Sequence, residues 1–268
     1  MTVWCNGAFV ENLTLDVAER GLMLGDGIFE TIAVREGKPI WLEQHLTRMF
    51  GAAQTLGLTH DEDKLRHGLA EMMKRSAAAS EVLRITLTRG PTGRGFALNG
   101  DRPSLILSLN PFDPGKLPHS VRLATSSIRR NPTAPSSFHK TLSYVDGVAA
   151  TREVVPQADD ALMLNTMGHV ASTTIANIFL LKGENLITPS RDQGILNGIA
   201  RLTLMDGAAR LGLTPGERAV QPGELLSADA VFLTNSLRLA TTVSSIDGKS
   251  CGTRDISFIN AFFERNLT

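Results

Sequence analysis

The apolar positions of this chain change period several times, and each change predicts an element. Residues 28 to 34, IFETIAV, alternate and are rich in β-branched types, which predicts a strand entered through the turn Leu24-Gly25-Asp26-Gly27. From 41 to 57 the period becomes helical. Leu42, Leu46, Met49, Ala53 and Leu56 form one stripe, and Trp41, His45, Arg48 and Ala52 line the adjacent face. EVLRITLTR at 81 to 89 and PSLILSL at 103 to 109 predict two further strands around a glycine-rich loop at 90 to 95. PFDPGKLPH at 111 to 119 holds three prolines and a glycine between two apolar runs, as a domain connection does. Beyond it come predicted strands near 120 to 127, 161 to 165, 176 to 182 and 230 to 235, with helices near 144 to 155 and 197 to 212. The reading is an α/β chain of two domains, 1 to 113 and 120 to 268, joined by a linker at 114 to 119.

Charge and cysteine content narrow the function classes. Twenty-seven basic residues balance twenty-seven acidic ones, so no net field favours nucleic acid or an anionic membrane. An anionic ligand must then be held by local arginines and backbone amides. Cys5 and Cys251 are too few for a disulfide framework and sit in no zinc-like cluster, so no metal is expected. The first residues, MTVWCNGAFVENL, show neither a basic leader nor an apolar run, and no apolar stretch reaches the length of a membrane span. A cytoplasmic protein is the expectation.

Four places could carry chemistry. Lys140 lies in Phe138-His139-Lys140-Thr141-Leu142-Ser143-Tyr144-Val145, an apolar and aromatic setting. Burial disfavours an ammonium, and a lysine that gives up its proton can attack an aldehyde to form a Schiff base, although an ordinary lysine fits the same string. Asn197-Gly198-Ile199-Ala200-Arg201 opens a helix. Asparagine can simply cap it, or the first-turn amides can seat a phosphate. Phe232-Leu233-Thr234-Asn235-Ser236 is a strand that ends in polar side chains, which either close the strand or add hydrogen bonds to that phosphate. His45 and Arg48 share a helix face, which reads as a solvated surface or as an anion site.

The order of these blocks gives them meaning. GDGIFET at 25 to 31, HLTR at 45 to 48, KTLSY at 140 to 144, DDALMLNTMGHV at 159 to 170, ANIF at 176 to 179, LNGIAR at 196 to 201 and ADAVFLTNS at 228 to 236 resemble the class IV aminotransferase family over essentially the whole chain. The resemblance implies the family's two-domain fold, that of D-amino-acid aminotransferase, and a cytoplasmic homodimer whose active site is completed by first-domain residues of the partner. It also implies pyridoxal 5′-phosphate bound to Lys140, which then moves the proton during turnover. Arg48, the amides at Ile199 and Ala200, and the hydroxyl of Ser236 match the phosphate contacts, although Ala200 replaces a threonine and keeps only the backbone contact. Tyr144 matches the residue on the phenolic oxygen. Phe29, Arg94 and Leu237 match the substrate pocket.

The family resemblance also exposes a departure. Ser172 occupies the place of the glutamate that keeps the pyridine nitrogen protonated, and a neutral hydroxyl makes the ring a weaker electron sink. The reading is an aminotransferase moving an amino group between a small amino acid and a 2-oxo acid, which KTLSY favours. The alternative is a 4-amino-4-deoxychorismate lyase that releases pyruvate, which the loop Gly93-Arg94-Gly95-Phe96, the TNSL turn and Ser172 favour. A weakly catalytic cofactor-binding protein is a third reading. It is motivated by Ser172 and opposed by Lys140 and Arg48.

Overall fold

The alternating segments of the first half pair into one antiparallel sheet, because period two puts every second side chain on the same face. Its strands are β1 (Thr2–Cys5), β2 (Ala8–Phe9), β3 (Gly27–Arg35), β4 (Lys38–Pro39), β5 (Ser80–Thr88) and β6 (Leu105–Pro111), in the order β2-β1-β6-β5-β3-β4. The computed structural model describes residues 1–93, 95–96 and 102–267. By contacts the chain divides into a unit of Met1–Gly115 with Lys140–Ser143 and a unit of Lys116–His139 with Tyr144–Leu267.

In the first unit, β3 and β5 run in register from Gly27↔Thr88 to Arg35↔Ser80. One face carries Ile28, Ile32, Val34, Leu83, Ile85 and Leu107, all buried. Helix α1 is the short turn Arg20–Leu24, while α2 (Leu42–Leu56) and α3 (Glu62–Met73) cover that face. The expected stripe of α2 is buried at Leu46, Met49 and Ala53. Helix α3 was not anticipated, because its buried positions Leu65, Leu69 and Met72 stand among Glu62, Asp63, Lys64, Arg66, His67 and Glu71. Asp61 caps it, accepting from the Lys64 amide.

The turn ahead of β3 is fixed by charge. Asp26 accepts from Arg20 at 2.7 Å and from Arg89 at 2.8 Å, and Arg89 also donates to the carbonyls of Leu56 and Gly57 at the end of α2. Burial pushes the Asp26 carboxyl up, but the two arginines outweigh it and hold it below the usual carboxylate range. One buried arginine thus ties the start of β3 to the helix above it.

Although Lys140–Ser143 lies far along the chain, it groups with the first unit as a short strap on the edge of β3. The Phe29 amide donates to the Lys140 carbonyl and the Leu142 amide donates to the Gly27 carbonyl, both at 2.9 Å, on either side of an Ile28–Thr141 bridge. The strap fits because of two glycines. Gly25 has φ 66°, and a Cβ there would meet Ser143 Oγ at 2.9 Å; a Cβ on Gly27 would meet the Leu87 carbonyl oxygen at 2.7 Å and Leu142 Cδ1 at 2.8 Å.

The second unit holds a nine-stranded mixed sheet among the described residues. Its strands are β7 (Ser120–Thr125), β8 (Asp160–Leu164), β9 (Val170–Thr173), β10 (Asn177–Lys182), β11 (Asn185–Pro189), β12 (Thr214–Arg218), β13 (Ala230–Asn235), β14 (Leu239–Ile246) and β15 (Lys249–Ser250). The order is β12-β11-β10-β13-β14-β7-β8-β9, with β15 on β14. The pairs β11/β12, β14/β7 and β7/β8 are parallel. The helices are α4 (Pro135–Phe138), α5 (Val145–Val154), α6 (Ile199–Gly207), α7 (Pro222–Ser227) and α8 (Ser257–Glu264). Val121, Leu162, Val170, Ile178, Val231 and Val243 lie in one core cluster of this sheet.

Two expectations change here. The helix expected over 197 to 212 is α6 followed by a 3-10 turn, Ala208–Leu211, that ends at Gly212 with φ 70°. Strand β12, TPGER, was invisible because proline and glycine mask an edge strand that pairs only with β11. No helix among the described residues is long and apolar enough to cross a membrane.

The strap's fit to Gly27 generates a stability prediction. Gly27→Ala should lower stability by about 1 to 3 kcal/mol, the usual cost of overpacking against atoms that cannot move, because the Leu87 carbonyl belongs to the sheet. Gly51→Ala, exposed in α2 and with nothing within 4 Å of its Cβ, should raise stability by up to about 1 kcal/mol. Urea midpoints of both variants check the pair.

Candidate active site

Lys140 is displayed by the strap at the edge of β3, beside Phe29. Successive residues of a strand point to opposite sides, so Phe29 faces away from Ile28 and Glu30. The Lys140 ammonium lies 4.4 Å from the Phe29 ring centroid, and the Arg84 guanidinium lies 3.8 Å from it. The ring is 7% exposed, so both contacts are shielded enough for the cation–π attraction to count. The structure thereby brings together two expected residues, Lys140 and Phe29, and adds Arg84.

The other face carries a buried charge cluster. Glu30, at the core position between Ile28 and Ile32, accepts from Arg48 Nε at 2.8 Å and Nη2 at 2.5 Å, and its second contact is His45 Nδ1 at 2.7 Å. Glu30 is 1% exposed and His45 0%. Burial raises the Glu30 carboxyl, but the Arg48 charge and the hydrogen bonds from His45 and Arg48 outweigh it and hold the group down to about 2. His45 goes the other way. Burial lowers the imidazole below its ordinary value, Glu30 opposes this, and the charges of Arg48 and Lys140 reinforce it. Because a carboxylate only accepts, Nδ1 carries the hydrogen and the ring is neutral. Its Nε2 is buried without a partner. The face shared by His45 and Arg48 is therefore not a solvated one.

In the second unit, the end of β13 and the start of α6 are tied through Asn177. Asn177 pairs with Thr234 across the strands and donates its side-chain amide to the Leu196 carbonyl at 2.8 Å. Its Oδ1 would lie 2.2 Å from a Cβ at Gly198, so any larger residue there would displace the Asn177 side chain. Asn197 does not cap the helix as expected. Gly198 is the N-cap, and no side chain bonds to the first-turn amides at Ile199 and Ala200. Asn197 instead accepts from Arg201 at 2.9 Å, while Arg201, 2% exposed, also donates to the Pro189 carbonyl and pairs with Glu217.

Ser236 and Leu237 lie, partly buried, in the turn after β13. Asn235 shapes that turn by accepting from the amides of Leu237 and Arg238. Thr234 Oγ1 is buried with no partner. Ser172, buried in β9 opposite Met163, donates its hydroxyl to the Thr173 carbonyl at 2.8 Å. Tyr144 stands at the N-cap of α5, near Arg130. Burial pushes the Arg130 guanidinium below its ordinary value, Tyr144 and Asp146 oppose it, and Arg130 Nε has no partner. Arg94 lies outside the described residues.

Glu30 and Arg130 escaped the sequence reading, whereas Thr234 lay in the polar strand end already singled out. For Glu30 a signal existed, namely a carboxylate on the apolar parity of an alternating strand. For Arg130 none did, since it follows β7 in a stretch without period.

The family model described as amino-transferase class IV matches residues 27–246. The chain is 30% identical over 246 residues to aminodeoxychorismate lyase of Bacillus subtilis, covering 88% of this chain and 83% of the relative. It is 28% identical over 258 residues to D-alanine aminotransferase of Bacillus licheniformis, covering 94% and 90%. Among solved structures, 4-amino-4-deoxychorismate lyase of Pseudomonas aeruginosa superposes with a TM-score of 0.89 at 28% identity, covering 99% of each chain. The chain belongs to the class IV aminotransferase family, whose members are pyridoxal-phosphate-dependent enzymes.

Proposed function

We propose that this enzyme is an aminotransferase that moves an amino group between a small amino acid and a 2-oxo acid, with pyridoxal 5′-phosphate held on Lys140. The observation that carries the reading is the strap. Backbone hydrogen bonds at Phe29 and Gly27 fix the Lys140 main chain, and its amine is placed 4.4 Å from the Phe29 ring centroid. The residues fit a phosphorylated ring. First-turn amides of α6 without a side-chain cap, and the unpartnered polar atoms Thr234 Oγ1 and Arg130 Nε, are what such a group would satisfy in the second unit.

When bound, pyridoxal phosphate supplies an aldehyde and an electron-accepting ring. Lys140 Nζ would hold the cofactor, and as an amine it would move a proton from the substrate carbon to the neighbouring atom. Arg48, the amides at Ile199 and Ala200, and Ser236 bind the phosphate. Tyr144 would meet the phenolic oxygen and Ser172 the ring nitrogen, while Phe29, Arg94 and Leu237 would shape the substrate pocket. The active form is a cytoplasmic homodimer, supported by the exposed apolar side chains Leu22, Met23 and Leu24 on α1.

A second reading, elimination of pyruvate from 4-amino-4-deoxychorismate, is favoured by the likeness to the Bacillus subtilis lyase. Both chemistries begin with the same proton transfer to Lys140. They part when the proton is returned or a leaving group departs.

Three outcomes test these assignments. Borohydride reduction and peptide mapping of the yellow protein should find the adduct on Lys140, and Lys140→Ala should lose both colour and turnover; an adduct on another lysine ends the assignment. A panel of amino donors run beside 4-amino-4-deoxychorismate should give keto-acid-dependent turnover with an amino acid, whereas pyruvate release alone selects the lyase. Sedimentation alongside turnover should find a dimer, and active monomers at assay concentration would contradict it.

A further inference from the structure

His45 Nε2 is a buried acceptor with no donor, one turn of α2 ahead of Arg48. Such an atom is costly to keep in a folded protein. Its tautomer is fixed, because Nδ1–H is committed to Glu30. The charge count is equally constrained. Arg48 gives two N–H groups to the Glu30 carboxylate, so its positive charge is already matched by a buried negative one. A phosphate brought to Arg48 would add up to two negative charges to a cluster in which Arg48 and Glu30 cancel and Lys140 supplies one positive charge, leaving a net negative charge to be balanced. Burying unbalanced charge is unfavourable, and the balance must come from a group that can change its own charge.

The charged groups that face His45 are Glu30 from β3, Arg48 from its own helix and Lys140 from the strap. Glu30 cannot help, since protonating it would break its bonds to both partners. Arg48 is already a cation. A proton on His45 Nε2 would turn the orphaned acceptor into a donor and raise the cluster by one positive charge, while Nδ1–H keeps its bond to Glu30.

We infer that His45 takes up a proton when an anion binds at Arg48, and that it serves as the second cation of the phosphate seat. The inference rests on the reading of Arg48 as a phosphate contact. Its direction follows from the empty state, where burial together with the Arg48 and Lys140 charges keeps the imidazole neutral at pH 7. An added anion reverses that bias. Anion affinity must then fall as pH rises, because the complex holds a proton that the free protein lacks.

Inorganic sulfate is the suitable probe, because it carries no titrating proton near neutrality. Calorimetry of the cofactor-free full-length protein, in two buffers of different ionisation enthalpy at pH 7.5, should show uptake of about half to one proton per sulfate bound. The dissociation constant should rise by up to about tenfold from pH 7 to pH 8. His45→Gln should bind more weakly and with no pH dependence. Sulfate binding without proton uptake that is lost in Arg48→Ala would overturn the role of His45 while leaving Arg48 in place. Equal sulfate binding by Arg48→Ala and wild type, or none by wild type, would remove both. If His45→Gln does not fold, imidazole ¹⁵N shifts of the wild-type chain decide the matter. Nε2 should move to the protonated range on adding pyridoxal 5′-phosphate and not on adding pyridoxal, and an unchanged Nε2 overturns the inference.

Discussion

The strap at 140–143 can lie on β3 only because no side chain stands at Gly25 or Gly27, and the placement of Lys140 depends on that absence. A Cβ at Gly27 would press on the Leu87 carbonyl from one side and on Leu142 from the other. With both glycines in place, two backbone hydrogen bonds and one bridge fix Lys140 to within the tolerance of a sheet. The same turn is locked from behind by Asp26, whose two arginines anchor α1 and the end of α2.

The second constraint is the carboxylate buried at Glu30. An unpaired charge in a core of Ile28, Ile32 and Leu46 would be prohibitive, so Arg48 and His45 are required where they are. Helical spacing supplies them, since positions three apart share a face of α2. Glu30 holds the guanidinium by one edge, through Nε and Nη2, and so fixes its orientation. Orientation of this kind comes at the cost of part of the arginine's charge.

Much of this arrangement was legible in the sequence, and the parts that were not share a cause. β3, α2, β5 and β13 have strong periods and were read within one or two residues of their ends. α3 and β12 were missed because their buried stripes are interrupted by charge or by proline and glycine. Site residues inside blocks of family resemblance, such as Lys140 and Ser236, could be named from order alone. Glu30 lay within such a block, yet its role depends on the parity of β3 against α2, which only pairing reveals. Of the two readings of Asn197, capping is not what the structure shows, since its side-chain oxygen accepts from the buried Arg201 four residues on.

Ser172 bears on which chemistry the proposed site performs, and its hydrogen bond sharpens the argument. Because its hydroxyl hydrogen is given to the Thr173 carbonyl, the side chain can offer a ring nitrogen only lone pairs. It can accept from a protonated nitrogen and cannot donate to an unprotonated one, so whatever preference it imposes favours the protonated ring. A neutral acceptor does this far less strongly than a carboxylate. On the proposed reading the site therefore keeps the polarity that amino transfer requires and gives up much of its strength. Elimination suffers less from that loss, since its electron pair leaves with the departing group instead of resting on the ring.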